Sequence, residues 1–172
     1  MPSLPLSTER LVLVPATAAL LREAFVGDAA LARRLDARLP ADWPPEFYDA
    51  EALNYTLERL ESGEAAGVWT TYFFVRSADR MLVGIGGYHT APSEEGAVEV
   101  GYSVVPTLQG HGYATEATGA LVDRAFEDPS VNRVVATTLP GLTPSIRVVE
   151  KLGFARSDVA PEPGVIAFVR SR

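Results

Sequence analysis

The 172-residue chain contains no cysteine. That excludes a disulfide framework, a thiolate zinc or iron–sulfur site, and a cysteine nucleophile. Histidine is almost as scarce. His89 and His111 are the only two, in no H-E-x-x-H spacing, so no metal is expected. Lys151 is the one lysine, and the formal net charge is −7. A nucleic-acid partner wants a basic face, so none is expected. Small anionic ligands stay open, because backbone dipoles can hold phosphates on an acidic protein. No apolar run approaches the roughly 18 residues of a membrane span. Met1 to Arg10 has no apolar signal-peptide core and carries Glu9. The expectation is a cytoplasmic protein without a membrane partner.

What is present suits one globular domain over residues 1–172, since 47% of residues are hydrophobic and the length can bury a real core. Arg10 to Pro15 reads as a first strand, closed by Pro15. Helices are expected over 16–26, capped by Thr17, over 28–39, capped by Asp28, and over 45–61, the last burying Phe47, Leu53, Leu57 and Leu60. The period then changes to that of strands, at 68–76, 81–90 and 98–105, which make an antiparallel meander. Gly84, Gly86 and Gly87 inside the second of these suggest a bulge or a close approach. A helix over 115–127, a strand over 131–139, a helix opened by Thr143 and Pro144, and strands over 154–159 and 165–170 complete an α/β fold with a mixed, seven-stranded sheet.

The chemistry concentrates where a strand runs through Gln109-Gly110-His111-Gly112-Tyr113-Ala114 into a helix. The first N–H groups of a helix lack internal partners and sit at the positive end of its dipole. Gly110 and Gly112 remove side chains that would block a ligand, and Ala114 keeps the first turn small. The result is a socket for a phosphate or diphosphate. The P-loop pattern is absent, and the G-x-G-x-x-G pattern fails because Thr115 takes the third glycine position.

Gln109 to Ala114 matches the Q/R-x-x-G-x-G/A signature of the GNAT superfamily of acyl-CoA-dependent N-acyltransferases. Val98-Glu99-Val100-Gly101-Tyr102, Tyr113-Ala114-Thr115-Glu116-Ala117, Ser145 to Phe154 and Thr8 to Leu13 resemble segments of its RimJ/RimL-like branch, in the same order. The resemblance spans about residues 6 to 170. It implies a GNAT-like, mostly antiparallel sheet with helices on both faces and a splay between central strands. It implies acetyl-CoA as co-substrate, an amine acceptor as partner, and, since the family often pairs, a homodimer. The pantetheine arm would lie along Tyr102, Ser103 and Val104. Main-chain N–H groups from Gly110 through His111, Gly112, Tyr113 and Ala114 to Thr115 would hold the diphosphate, with Gln109 in the motif. Ser145 matches a hydroxyl near the coenzyme sulfur.

Two departures stand out. Leu142 replaces the asparagine of the branch's N-x-x-S, and no tyrosine follows Tyr113 to serve as acid for the thiolate, which leaves Ser145 or water for that role. Without cysteine, direct transfer in a ternary complex is the expected route. The base candidates are Glu99, whose burial would raise its pKa, His89 and Glu162. His111 reads as a coenzyme neighbour and Glu116 as a structural helix-start acid. Trp43, Phe47 and Tyr48 are candidates for a wall of the acceptor cleft. Two rivals remain: a non-catalytic acyl-CoA-binding sensor or regulatory domain, and a structural domain whose glycine loop binds nothing.

Overall fold

The structure is a computed structural model that describes residues 4–159 and 161–172. Its strands are β1 (Leu6–Ser7), β2 (Leu11–Pro15), β3 (Thr71–Arg76), β4 (Leu82–Tyr88), β5 (Ala97–Val104), β6 (Arg133–Thr138), β7 (Ala155–Arg156) and β8 (Ile166–Ser171). The helices are α1 (Ala18–Val26), α2 (Asp28–Leu35), α3 (Ala50–Ser62), α4 (Tyr113–Phe126) and α5 (Thr143–Lys151). The sheet order is β1-β2-β3-β4-β5-β6-β8-β7, and every pair is antiparallel except β5 with β6.

The central strands lack polar alternation because both faces of the sheet are covered. On β3, Tyr72 and Phe74 pack into a cluster with Ala117, Leu121 and Val122 of α4, while Phe73 and Val75 pack with Leu21, Leu31 and Leu53 of α1, α2 and α3. All four β3 residues are fully buried. At roughly 25 cal/mol per Å² of apolar surface, each such aromatic side chain stabilises the fold by some 2–3 kcal/mol before entropy is counted. Among the described residues no helix is long and apolar enough to cross a membrane.

The glycines of β4 mark a close approach. A Cβ on Gly86 would stand 2.5 Å from the Gly101 carbonyl oxygen and 2.8 Å from the Tyr102 Cα. The β3–β4 register also shifts between Phe74 and Val75. The glycines let β4 lie close against β5, the strand on which the site is built.

Several expected boundaries move. The sheet has eight strands, not seven, because Leu6 and Ser7 fold back against Leu13 and Val12. The third helix starts at Ala50, capped by Asp49, whose carboxylate accepts from the Ala52 N–H. Phe47 therefore lies outside it, at φ 68° and 59% exposed rather than buried. Thr17 caps α1 as expected, but Gly27 precedes α2 in place of Asp28, and Asp36 in the left-handed region ends that helix early. Leu142, not Thr143, occupies the cap position of α5 and offers no side-chain acceptor. The strand expected over 154–159 shrinks to β7, two residues at the sheet edge.

Candidate active site

The strand β5 parts from β6 halfway along. Their parallel pairing runs only from Ala97 to Val100, opposite Arg133 to Ala136, whereas β4 accompanies β5 as far as Val104. The Glu99 carbonyl accepts from His89 N–H on β4's side, and Val105 N–H donates to Val83 there. Main-chain direction alternates along a strand, so the polar groups of Tyr102 and Val104 face the gap and those of Ser103 face β4. Across the gap, β6 ends in Thr138, whose buried Oγ1 has no hydrogen-bond partner among the described residues.

At the far end of the gap the chain makes a 3₁₀ turn, Pro106–Leu108, and then the glycine loop. Gly110 and Gly112 take φ of 79° and 81°, a region that costs other residues about 1–2 kcal/mol. Gly112 is the cap residue of α4 and, among the described residues, no side chain caps that helix, so its first amides stay free to bind. Gln109 Nε2 donates to the Val104 carbonyl at 2.9 Å, which folds the loop back on β5. His111 Nδ1 lies 2.9 Å from the Gln109 carbonyl, and its ring stacks on Tyr113 at 5.9 Å. Both expected loop side chains are thus engaged in shaping the loop. Tyr113 is buried, and Ala114 and Thr115 are half-buried in the first turn.

Contacts that the sequence did not reveal brace this corner. The Glu116 carboxylate accepts from Thr8 Oγ1 (2.6 Å), Arg10 N–H (2.7 Å) and Arg10 Nε (2.7 Å). Burial alone would raise its pKa, but these three hydrogen bonds and the guanidinium charge outweigh it and lower it. Asp42 accepts from Thr107 N–H and Oγ1, both at 2.9 Å, tying the segment before α3 to the start of the loop. The Thr107 amide is the main cause holding the Asp42 carboxyl below its ordinary value.

On the opposite face of the sheet, β4 and β5 bring His89 and Glu99 together. His89 Nδ1 stands 3.5 Å from Glu99 Oε1, the outer edge of hydrogen-bond reach, and Thr137 Oγ1 donates to the same oxygen at 2.7 Å. The expected burial-driven rise in the Glu99 pKa does not occur. His89 first, then Thr137, lower it more than desolvation raises it. Glu99 is therefore ionised at neutral pH. A proton on Nδ1 shared with that carboxylate leaves the Nε2 lone pair free. Nε2 lies 2.6 Å from where a Cβ on Gly101 would stand, and Tyr48 Oη lies 3.4 Å from the same point. Burial raises the Tyr48 pKa, so this hydroxyl keeps its proton. Gly101→Ala should thus turn the half-exposed imidazole aside. The expected outcome is a displaced imidazole in a structure of the variant, with stability changed by less than about 1 kcal/mol in urea unfolding.

Ser145 lies in the first turn of α5. Tyr102 Oη donates to its carbonyl at 3.0 Å and stands 3.3 Å from its Oγ, so the Tyr102 ring bridges β5 and α5. Burial raises the Tyr102 pKa against the opposing effect of Ser145. Trp43 is core, packed on Phe73 at 6.3 Å, whereas Phe47 is exposed beside Tyr48. Glu162 is exposed, and among the described residues no hydrogen bond or ion pair of its side chain reaches His89 or Glu99.

A parallel strand pair that opens onto an uncapped, glycine-led helix is the arrangement the resemblance implied, and the family model of the GNAT acetyltransferase domain matches residues 10–155. The chain belongs to the GNAT acetyltransferase family. The uncharacterized N-acetyltransferase YjdG of Bacillus subtilis is 28% identical to this GNAT protein over 150 residues, covering 87% of this chain and 88% of YjdG. In structure it is similar to RimL, a ribosomal L7/L12 alpha-N-protein acetyltransferase, with TM-score 0.67, 14% identity, and 98% and 94% of the two chains covered. It is similar also to the microcin C7 self-immunity acetyltransferase MccE, solved with acetyl-CoA and AMP, with TM-score 0.63, 13% identity, and 95% and 93% covered. At these identities the structural likenesses speak for the GNAT fold: a mixed α/β architecture with a mostly antiparallel sheet.

Proposed function

We propose that the protein transfers an acetyl group from acetyl-CoA to a primary amine, on a protein N-terminus or a small molecule, by direct attack in a ternary complex. The observation that carries this reading is the gap between β5 and β6, which leads from the main-chain groups of Tyr102 and the N–H of Val104, turned away from β4, to the start of α4, which no side chain caps among the described residues. MccE, a fold neighbour solved with acetyl-CoA, supports the choice of donor.

The amides from Gly110 to Thr115 hold the diphosphate, and the thioester arm enters the gap. His89 Nε2 takes the proton of the acceptor amine while Glu99 holds the imidazole. The amine nitrogen bonds to the thioester carbonyl carbon, and a main-chain N–H of β5 facing the gap stabilises the oxyanion. The C–S bond then breaks. The Ser145 hydroxyl, held beside Tyr102 Oη, supplies the proton to the departing thiolate, in place of the late tyrosine the chain lacks. With no cysteine, holding amine and thioester together carries most of the acceleration.

Thermal melting with coenzyme A tests the socket. At a hundred times Kd the expected stabilisation is about 2.7 kcal/mol, or roughly 5–10 °C in Tm for a chain of this size. Thiol release from acetyl-CoA across a panel of amines and peptides tests turnover. A melting rise without thiol release would replace the enzyme by an acyl-CoA sensor, and no rise would remove both.

A further inference from the structure

The chain carries a net charge of −7, yet its proposed ligand is a polyanion. Main-chain amides and a helix dipole supply only partial charges at such a site. A guanidinium bonded to the main chain of the glycine loop belongs to Arg10, which lies 106 positions before Glu116.

Arg10 is fixed from three sides. Its Nε donates to Glu116, its Nη1 donates to the His111 carbonyl at 2.9 Å, and its guanidinium carbon sits 4.8 Å above the Tyr113 ring. Its Nη2 donates to nothing among the described residues. That nitrogen lies 3.3 Å from where a Cβ on Gly112 would stand. A planar fork held along one edge presents its remaining N–H groups in a fixed direction, which a flexible ammonium would not do. Tyr113 is anchored in turn, because Arg76 Nη1 donates to its hydroxyl at 2.9 Å and Asp79 pairs with Arg76.

We infer that Arg10 is a ligand of the coenzyme diphosphate: its free Nη2 donates to a phosphate oxygen over Gly112, with Glu116 and the His111 carbonyl aiming it. This rests on the coenzyme reading above. Because Glu116 balances the Arg10 charge, the gain is a pair of directed N–H donors. Glycine at 112 then has a second role, since a side chain there would stand between Nη2 and the ligand.

The test compares coenzyme A with S-acetylpantetheine, which keeps the thioester arm and lacks the diphosphate. In Arg10→Gln the ratio of coenzyme A affinity to S-acetylpantetheine affinity should fall about tenfold to a hundredfold. An unchanged ratio would overturn the inference while leaving the coenzyme site standing. Wild-type protein that binds neither ligand would take down both. Should Arg10→Gln fail to fold, the wild type still decides. Phenylglyoxal modification of Arg10, followed by peptide mass spectrometry, should be blocked by coenzyme A and not by S-acetylpantetheine. Equal labelling in the presence of either ligand would reject the contact.

Discussion

Gly112→Glu should abolish the melting rise produced by coenzyme A and leave the unliganded protein folded. Gly112 lies in the left-handed region at φ 81° and is exposed. A side chain there costs about 1–2 kcal/mol in backbone strain, which a chain of this size tolerates. The effect on the ligand is larger. Two like charges 4 Å apart near a surface repel by about 4 kcal/mol, close to a thousandfold in affinity before screening by salt. The added carboxylate would also draw the Arg10 Nη2, now only 3.3 Å from the Cβ position, away from the socket. The expected loss is at least about a hundredfold, read by calorimetric titration with coenzyme A. Gly112→Ala adds the strain and the contact without the charge, and its expected loss is nearer tenfold. Unchanged affinity in a folded Gly112→Glu protein would mean that the diphosphate sits elsewhere.

His89→Gln should lower kcat by about 10²- to 10⁴-fold, the range usual for a lost general base, without changing coenzyme A affinity. The imidazole and the glycine loop stand at different places on β5, with Gly101 under the one and Val104 leading into the other. Glu99→Gln keeps the shape and one hydrogen-bonding oxygen but loses the charge behind His89 Nδ1, so its expected loss is smaller, roughly tenfold. The order of the two effects assigns the roles. A larger loss in Glu99→Gln would make the carboxylate the base.

The glycine loop was legible because its physics is local. Glycine at 110 and 112 answers to left-handed φ values, and a strand followed by a helix start needs no distant partner to expose its amides. The roles of the loop side chains were not legible. Gln109 and His111 bind main-chain carbonyls of their own neighbourhood, and their orientation depends on where Val104 and Tyr113 lie in space. Phe47 was misplaced because an apolar residue near an apolar helix reads as part of its face. Its positive φ arises in the turn that precedes the Asp49 cap. Tyr102 came into view as more than a strand residue only when its hydroxyl was found on Ser145, 43 positions away.

The chain itself determined the class of fold, the order of its elements and the glycine-led start of α4, since hydrophobic period and glycine placement act through neighbours in sequence. It also determined that no cysteine takes part in catalysis. Tertiary structure alone decided the ionisation of Glu99, because the groups that lower its pKa arrive from β6 and from the residue following β4. It alone brought Thr8 and Arg10 to Glu116 across the width of the sheet. Hydrogen bonds and charges act through distances in space, and a pattern read along the chain holds those distances only where the backbone itself fixes them.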